Sequence, residues 1–225
     1  MNALEQDSSL LIGSAQDIES LARKDSAEII VASDSHGDGA QLLGILTECG
    51  RQADAFIFCG DGMSELCGIL HQASEESGIR ELLPPVIAVV QGNNDIPSYP
   101  LQTAAGVAEL RIPVTQTVCA CGHTLFITHG HHFSLYGGTQ ELSQVALASG
   151  ADTVFYGHTH VAAVEYSNSV LLLNPGSCRL PRGGQPPCYA RFRVRTGAVP
   201  PDFTFFQLKG KPGTPYTPPP RTSYW

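Results

Sequence analysis

No apolar stretch in the 225-residue sequence approaches the roughly 20 residues that a membrane-spanning helix requires, which excludes a helical span. No export signal is expected from the amino-terminal residues. Met1 to Gln6 carries no Lys or Arg, and Leu10-Leu11-Ile12 is too short for the apolar core of a signal peptide. Positive charge is scarce, with 13 Lys and Arg against 21 Asp and Glu and a formal charge of −8. Broad contact with nucleic-acid phosphates needs clustered cations, so a nucleic-acid partner is not expected. Arg191, Arg193 and Arg195 alternate along a predicted strand and are read as one solvated face. Patterned cysteine is missing as well. The 7 thiols, Cys49, Cys59, Cys67, Cys119, Cys121, Cys178 and Cys188, are odd in number and scattered, which argues against a disulfide framework and for a cytoplasmic location. Alternation puts Cys119 and Cys121 on one strand face, but no second pair follows to complete a zinc site, and buried or half-buried thiols are expected.

What is present suits one globular domain with extensions. Residues 1–27 are read as an N-terminal extension with one short helix about Ile18, Leu21 and Ala22. Residues 28–208 form the body, and the Pro-rich 209–225 a tail of extended polyproline character. Within the body, short β-type runs alternate with helical stretches, which indicates an α/β sandwich. Strands are predicted at Glu28–Ala32, Ala55–Cys59, Val86–Val90, Thr153–Tyr156, Val170–Leu173, Tyr189–Val194 and Phe203–Leu208, and a helix at Gln41–Cys49. Gln116–Ala120 and Thr124–Thr128 read as a hairpin about Gly122, and the segments 97–106 and 133–138 as loops.

Five of the strands end directly in a polar cluster that contains Gly and a potential metal ligand. Ile29-Ile30-Val31-Ala32 leads into Ser33-Asp34-Ser35-His36-Gly37-Asp38, and Phe56-Ile57-Phe58-Cys59 into Gly60-Asp61-Gly62. Val89-Val90 precedes Gly92-Asn93-Asn94-Asp95, Phe126-Ile127-Thr128 precedes His129-Gly130-His131-His132, and Phe155-Tyr156 precedes Gly157-His158-Thr159-His160. In an open α/β sheet the crevice beyond the carboxyl ends of the strands is where a ligand sits, so these distant loops can converge. Asp34 and His36, like His158 and His160, are two residues apart, which in an extended segment points both side chains to one side. A lone His or Gly-Asp turn would be an ordinary structural feature, but five such coincidences in order call for one explanation.

In these blocks the chain resembles the calcineurin-like metallophosphoesterases, whose ordered pattern is Asp-x-His, Gly-Asp, Gly-Asn-x-Asp/Glu, His-Gly-His and Gly-His-x-His. The match covers roughly Glu28 to Ser177, and with Asn174-Pro175-Gly176-Ser177 it is most similar to the small bacterial and archaeal phosphodiesterase branch. The resemblance implies a four-layer αββα sandwich with two facing mixed β-sheets. It further implies that Asp34, His36 and His160 hold a first metal, that Asp61 bridges two metals, and that Asn93, His129 and His158 complete the second. A carboxylate can bridge cations ~3.5–4 Å apart, and a donor set without thiolate favours manganese, iron, zinc, cobalt or nickel over calcium, with manganese expected.

The implied activity is hydrolysis of a small phosphodiester by hydroxide activated at the dinuclear centre. Asn93, His131 and Asp95 are the remaining catalytic candidates. Asn94 stands where many relatives have a histidine that protonates the leaving oxygen, which leaves His131 or water for that task and Asp95 for orienting a neighbouring His or the Asn93 loop. Asn174-Pro175-Gly176-Ser177 reads as a tight turn in preference to a direct substrate contact, and Arg179 and Arg182 beyond it as either phosphate grips or plain exposed cations. Two rivals stand beside this reading: a phosphomonoesterase, and a non-catalytic scaffold of the same fold, as in the phosphoesterase-like subunit of retromer. A homo-oligomer is compatible with the sequence but has no signal in it.

Overall fold

The computed structural model describes residues 1–103, 106–197, 200–209 and 213–219. The first half of the chain runs α1 (Ala15–Arg23), β1 (Ser26–Ala32), α2 (Gly39–Cys49), β2 (Ala55–Phe58), α3 (Met63–Glu75), α4 (Ser77–Arg80) and β3 (Val86–Val89). Then come β4 (Ser98–Thr103), β5 (Gly106–Arg111), β6 (Thr115–Ala120), β7 (His123–Thr128), α5 (Gln140–Ala148) and β8 (Thr153–Tyr156). The chain closes with β9 (Ala163–Ser167), β10 (Val170–Asn174), β11 (Cys188–Arg195), β12 (Asp202–Gln207) and β13 (Thr214–Tyr216).

Both residue parities of the central strands are apolar because both of their faces are covered. Ile30, Ala32, Phe56, Phe58, Ile87 and Val89 pack against α2 and α3 through Leu42, Ile45, Leu66 and Leu70. The alternate residues Ile29, Val31, Ala55 and Ile57 meet Leu125, Ile127, Phe155 and Leu173 of a second sheet. That sheet turns Phe126, Val154, Tyr156 and Leu172 the other way, onto Leu142 and Ala146 of α5. The layers are therefore αββα, as the resemblance implies. Across the middle, Phe155 and Phe192 meet edge to face with centroids 5.0 Å apart, a pairing that contributes about 0.5–1.5 kcal/mol beyond area burial.

The first sheet has the order β13-β12-β11-β1-β2-β3 and the second β6-β7-β8-β10-β9. β1, β2 and β3 are mutually parallel, and so are β7, β8 and β10, while the flanking strands are antiparallel. Six parallel strand ends thus open on the same margin of the sandwich.

Residues 1–27 lie against this body. Ile12 exchanges main-chain hydrogen bonds of 2.9 and 2.8 Å with Ile87 and so covers the outer edge of β3. Asn2, fully buried, donates to the carbonyls of Ile12, Pro84 and Pro85. α1 starts where Ser14 accepts from the N–H of Asp17, and the Leu21 and Ala22 carbonyls at its end accept from Cys121 and Gly122.

Several expectations need correction. The segment 97–106, read as a loop, contains β4, and β4 with β5 makes a separate two-stranded sheet. The proline-rich tail contains β13, which pairs Phe205 with Tyr216; residues 210–212 and 220–225 lie outside the described residues. Cys119 and Cys121 do not share a face: β6 stops at Ala120, Cys121 enters the turn at φ 53° and is buried, and Cys119 is exposed. Cys121 and Gly122, both at positive φ, form the two-residue hairpin turn that suits strand twist. Arg191 and Arg193 are not simply solvated, since both pair with Glu28 of β1 at 2.8 and 2.9 Å.

Candidate metal centre

Asp34 and His36 follow β1, Asp61 follows β2, Asn93 follows β3, His129 follows β7, and His158 with His160 follow β8. All seven converge. His36 Nε2 and His160 Nε2 are 3.1 Å apart, Asp34 Oδ1 lies 3.2 Å from His160 Nε2, and Asp61 Oδ2 lies 3.4 Å from His129 Nε2 and 3.7 Å from His36 Nε2. Asn93 Oδ1 is 3.2 Å from His129 Nε2 and 3.0 Å from His158 Nδ1. Asp34, His36 and His160 make one candidate ligand group and Asp34, Asp61 and His129 another, sharing Asp34.

The backbone route to this convergence is not the extended one. Asp34 (φ 57°), His36 (40°), Asp61 (56°), His158 (67°) and His160 (60°) all sit in the left-handed region, which a non-glycine residue enters only at some cost in strain. The strand therefore curls at its end and folds its ligands inward. Glycine is required where main chain closes on the carboxylates. A Cβ on Gly92 would lie 2.1 Å from Asp61 Oδ1, and one on Gly157 would lie 2.1 Å from Ser33 Oγ and 2.9 Å from Asp34 Oδ2.

The converging atoms are acceptors with too few protons between them. His129 Nδ1 lies 2.7 Å from the Cys59 carbonyl and His160 Nδ1 lies 2.7 Å from the Leu180 carbonyl. A carbonyl can only accept, so in the neutral rings both protons sit on Nδ1 and both Nε2 lone pairs face the centre. Asp34 is fully buried, and its Oδ1 has no hydrogen-bond partner. An unpaired carboxylate oxygen at that depth, facing imidazole lone pairs and the Asn93 amide oxygen, is stable only beside positive charge. The donor set fits divalent cations.

The local electrostatics agree. Burial pushes Asp34 upward, but the adjoining His160 and His36 rings and the nearby His129 outweigh it, and its carboxyl is held well below the usual range. Burial likewise opposes ionisation of Asp61, yet contacts with His129 and Asn94 bring it down to about 2. Asn94 donates to both Asp61 oxygens, from its main-chain N–H at 2.8 Å and from Nδ2 at 2.7 Å. The Asp34 carboxylate, 3.8 Å from its Nε2, raises His36 against the opposing effect of burial. Burial pulls His129 down, and Asp61 and Asp34 more than restore it, leaving it raised.

The remaining candidates take different places. Asp95 does not reach the ligand side chains. Its carboxylate accepts from the N–H groups of Asp61 (2.7 Å), Met63 (2.9 Å), Gly92 (2.9 Å) and Gly62 (3.1 Å), which ties the Asp61 and Asn93 loops together at the start of α3. His131 lies near the second group, its ring centroid 5.4 Å from that of His129 and 6.2 Å from that of His158. Burial first, then the neighbouring His132, His129 and His158, push it down to about 4, so it is a neutral imidazole at neutral pH. Arg179 Nη1 donates to the His36 carbonyl, while Arg182 is exposed. The supports that sequence did not point to are Ser33, whose hydroxyl donates to Asp34 Oδ2 at 2.6 Å, and the Asn94 contacts to Asp61. Neither has a readable signal beyond being polar at a strand end.

Comparison with known proteins gives matching results. The model of the calcineurin-like phosphoesterase superfamily domain matches residues 28–197. The chain is 32% identical over 174 residues to probable metallophosphoesterase YsnB of Bacillus subtilis, a match over 76% of this chain and 86% of that relative. It is 36% identical over 83 residues to phosphodiesterase YfcE of Escherichia coli K12, covering 36% and 41% of the two chains. The fold is also similar to that of vacuolar protein sorting 29 from Cryptosporidium parvum, with TM-score 0.63 at 16% identity over 86% of this chain and 96% of that one.

Proposed function

Because the chain belongs to the calcineurin-like phosphoesterase superfamily, and is on that ground a phosphoesterase hydrolase, we propose that it cleaves phosphodiester bonds at a dinuclear metal centre. Asp34, His36 and His160 would hold the first ion, Asn93, His129 and His158 the second, and Asp61 would touch both. One observation supports this above all: buried Asp34 Oδ1 without a hydrogen-bond donor, among ring nitrogens whose protons are turned away. Two divalent ions bound there would supply an ionised water nucleophile at neutral pH and Lewis-acid stabilisation of the phosphoryl oxygens. Manganese is the proposed metal, given nitrogen and oxygen donors without thiolate, with iron, zinc, cobalt and nickel as competitors. A cytoplasmic location fits 7 cysteines that are all unpaired. Among the described residues, no helix is long and apolar enough to cross a membrane.

The protein's own groups would divide the work. Asp95 would act by position, fixing the Asp61 and Asn93 loops, and Asn94 would orient the Asp61 carboxylate. Asn93 would present its amide oxygen. His131, held neutral, would donate a hydrogen bond to a phosphoryl or leaving oxygen and deliver a proton poorly. With Asn94 unable to act as an acid, cleavage would depend on the stability of the departing alcohol.

The diester reading leans on the similarity to phosphodiesterase YfcE and on candidate ligand groups whose only carboxylates, among the described residues, are Asp34 and Asp61, suited to a singly charged ester. A non-catalytic role is the second reading, favoured by the fold it shares with vacuolar protein sorting 29. The test is a screen of metal-free protein with each metal against bis(p-nitrophenyl) phosphate, p-nitrophenyl phosphate and an alkyl diester. The aryl diester with Mn²⁺ should turn over fastest. Faster monoester cleavage would favour the monoesterase, equal rates on aryl and alkyl diesters would contradict the missing acid, and no metal uptake with no turnover would leave the scaffold.

A further inference from the structure

Six parallel strands open on the metal margin, and five of them deliver candidate ligands. The sixth, β10, ends in Asn174-Pro175-Gly176-Ser177 and delivers none. What it brings instead is a set of buried and part-buried hydrogen bonds between two ligand loops that lie far apart in sequence. The Ser177 hydroxyl, fully buried, donates to the Asp34 carbonyl at 2.7 Å and accepts from the N–H groups of Leu180 at 2.7 Å and Arg179 at 3.1 Å. One hydroxyl has one proton and two lone pairs, so its capacity is used in full.

The chain so held reaches His160. The Leu180 carbonyl accepts from His160 Nδ1 at 2.7 Å, and the Arg182 N–H donates to the His160 carbonyl at 3.0 Å. From the start of the same turn, Asn174 Nδ2 donates to the Gly157 carbonyl at 2.8 Å and reaches Thr159 Oγ1 at 3.1 Å, while its Oδ1 accepts from Gly176 N–H at 2.9 Å. Cys178 N–H closes the pattern on the Ser33 carbonyl at 3.1 Å. Asp34 and His160 both stand in the left-handed region, so their poses need external restraint, and these bonds supply it from a single turn.

We infer that Ser177, assisted by Asn174, is a positioning residue for the first metal site. Its hydroxyl fixes the main chain at Asp34 and Leu180, and the Leu180 carbonyl fixes His160 with its proton on Nδ1 and its Nε2 lone pair toward Asp34 Oδ1. This rests on the dinuclear reading above. Removing the hydroxyl takes the partner from one buried carbonyl and two part-buried N–H groups, and the cheapest relief is a shift of the 178–182 segment that releases His160. A ligand whose outer hydrogen bond is lost typically gives up about 10–100-fold in metal affinity.

The experiment titrates metal-free parent protein, Ser177→Ala and Ser177→Thr with Mn²⁺ by calorimetry, and reads the His160 tautomer from long-range proton–nitrogen NMR spectra of the metal-free forms. The parent should take up two ions and show His160 protonated on Nδ1. Ser177→Ala should hold one ion about 10–100-fold more weakly, keep the other, and lose the pure Nδ1 tautomer, while Ser177→Thr restores both readouts. Two ions held equally by the parent and Ser177→Ala would overturn the inference. So would a parent His160 protonated on Nε2, a measurement that needs no variant to fold. If the parent binds no Mn²⁺, the dinuclear reading fails instead, which the separate tautomer measurement distinguishes.

Discussion

At the scale of single residues, the site depends on atoms that are absent as much as on those present. Gly92 is the sharpest case, because any side chain there would meet Asp61 Oδ1 at 2.1 Å and Asp61 N at 2.4 Å. Asp61 cannot yield easily, since Asn94 grips both of its oxygens and Asp95 holds its N–H. Gly92→Ala should therefore displace the carboxylate and lower Mn²⁺-dependent diester turnover by at least about 100-fold, as misplacement of a reacting group by ~1 Å does. Steady-state kinetics with a parallel Mn²⁺ titration would check it; parental turnover would show that the loop relaxes freely. The same crowding explains what the sequence revealed here. Asp34, His36, Asp61, Asn93, His129, His158 and His160 were legible because each follows an apolar run at a strand end. Of their supports, Asp95 was legible as a residue that could hold the Asn93 loop, and it does so through Gly92 N–H. Ser177 was not, because it binds main-chain N–H and carbonyl groups, and every residue type except proline offers both.

At the scale of elements, strands signalled by apolar runs were legible and those built otherwise were not. β9 joins β10 through Asn168 and Ser169, both at positive φ, so the hairpin turn forms without the glycine that usually marks it. β4 carries Pro100, tolerable because its partner β5 makes a sheet of only two strands, all edge. Far from the metal margin, the first residue of β7 ties the two sheets. His123 Nδ1 lies 2.5 Å from Asp152 Oδ2, and its Nε2 faces the carbonyls of Arg195 and Gly197 at 2.9 and 3.1 Å. Every neighbour accepts, so only the doubly protonated ring satisfies them all. Burial works against that charge, but Asp152 and the two carbonyls outweigh it and raise His123 above the ordinary histidine value. A raised folded value means stabilisation that is complete below about pH 6.5 and fades as pH climbs through the folded value. His123→Gln should then lower Tm clearly at pH 5.5 and little at pH 9, as thermal melts across that range would show; an equal loss at both ends would remove the charge from the explanation.

At the scale of the whole molecule, the candidate ligands come from both sheets: Asp34, His36, Asp61 and Asn93 from the first, His129, His158 and His160 from the second. Ions held among them would bind the folded sandwich and not the unfolded chain. At a free concentration 100 times Kd, one such ion adds about 2.7 kcal/mol, which in a chain of this size raises Tm by roughly 5–10 °C. Chelator should reverse the gain, and a Tm indifferent to Mn²⁺ and chelator alike would show that no ion bridges the layers. Opposed to this margin stands His123, fastening the same two layers from their far end. Chelating side chains must shed protons to take up metal, whereas the His123 contact needs its extra proton. Acidification would consequently loosen one clasp while tightening the other, so mild acid should disarm the chemistry before it opens the sandwich.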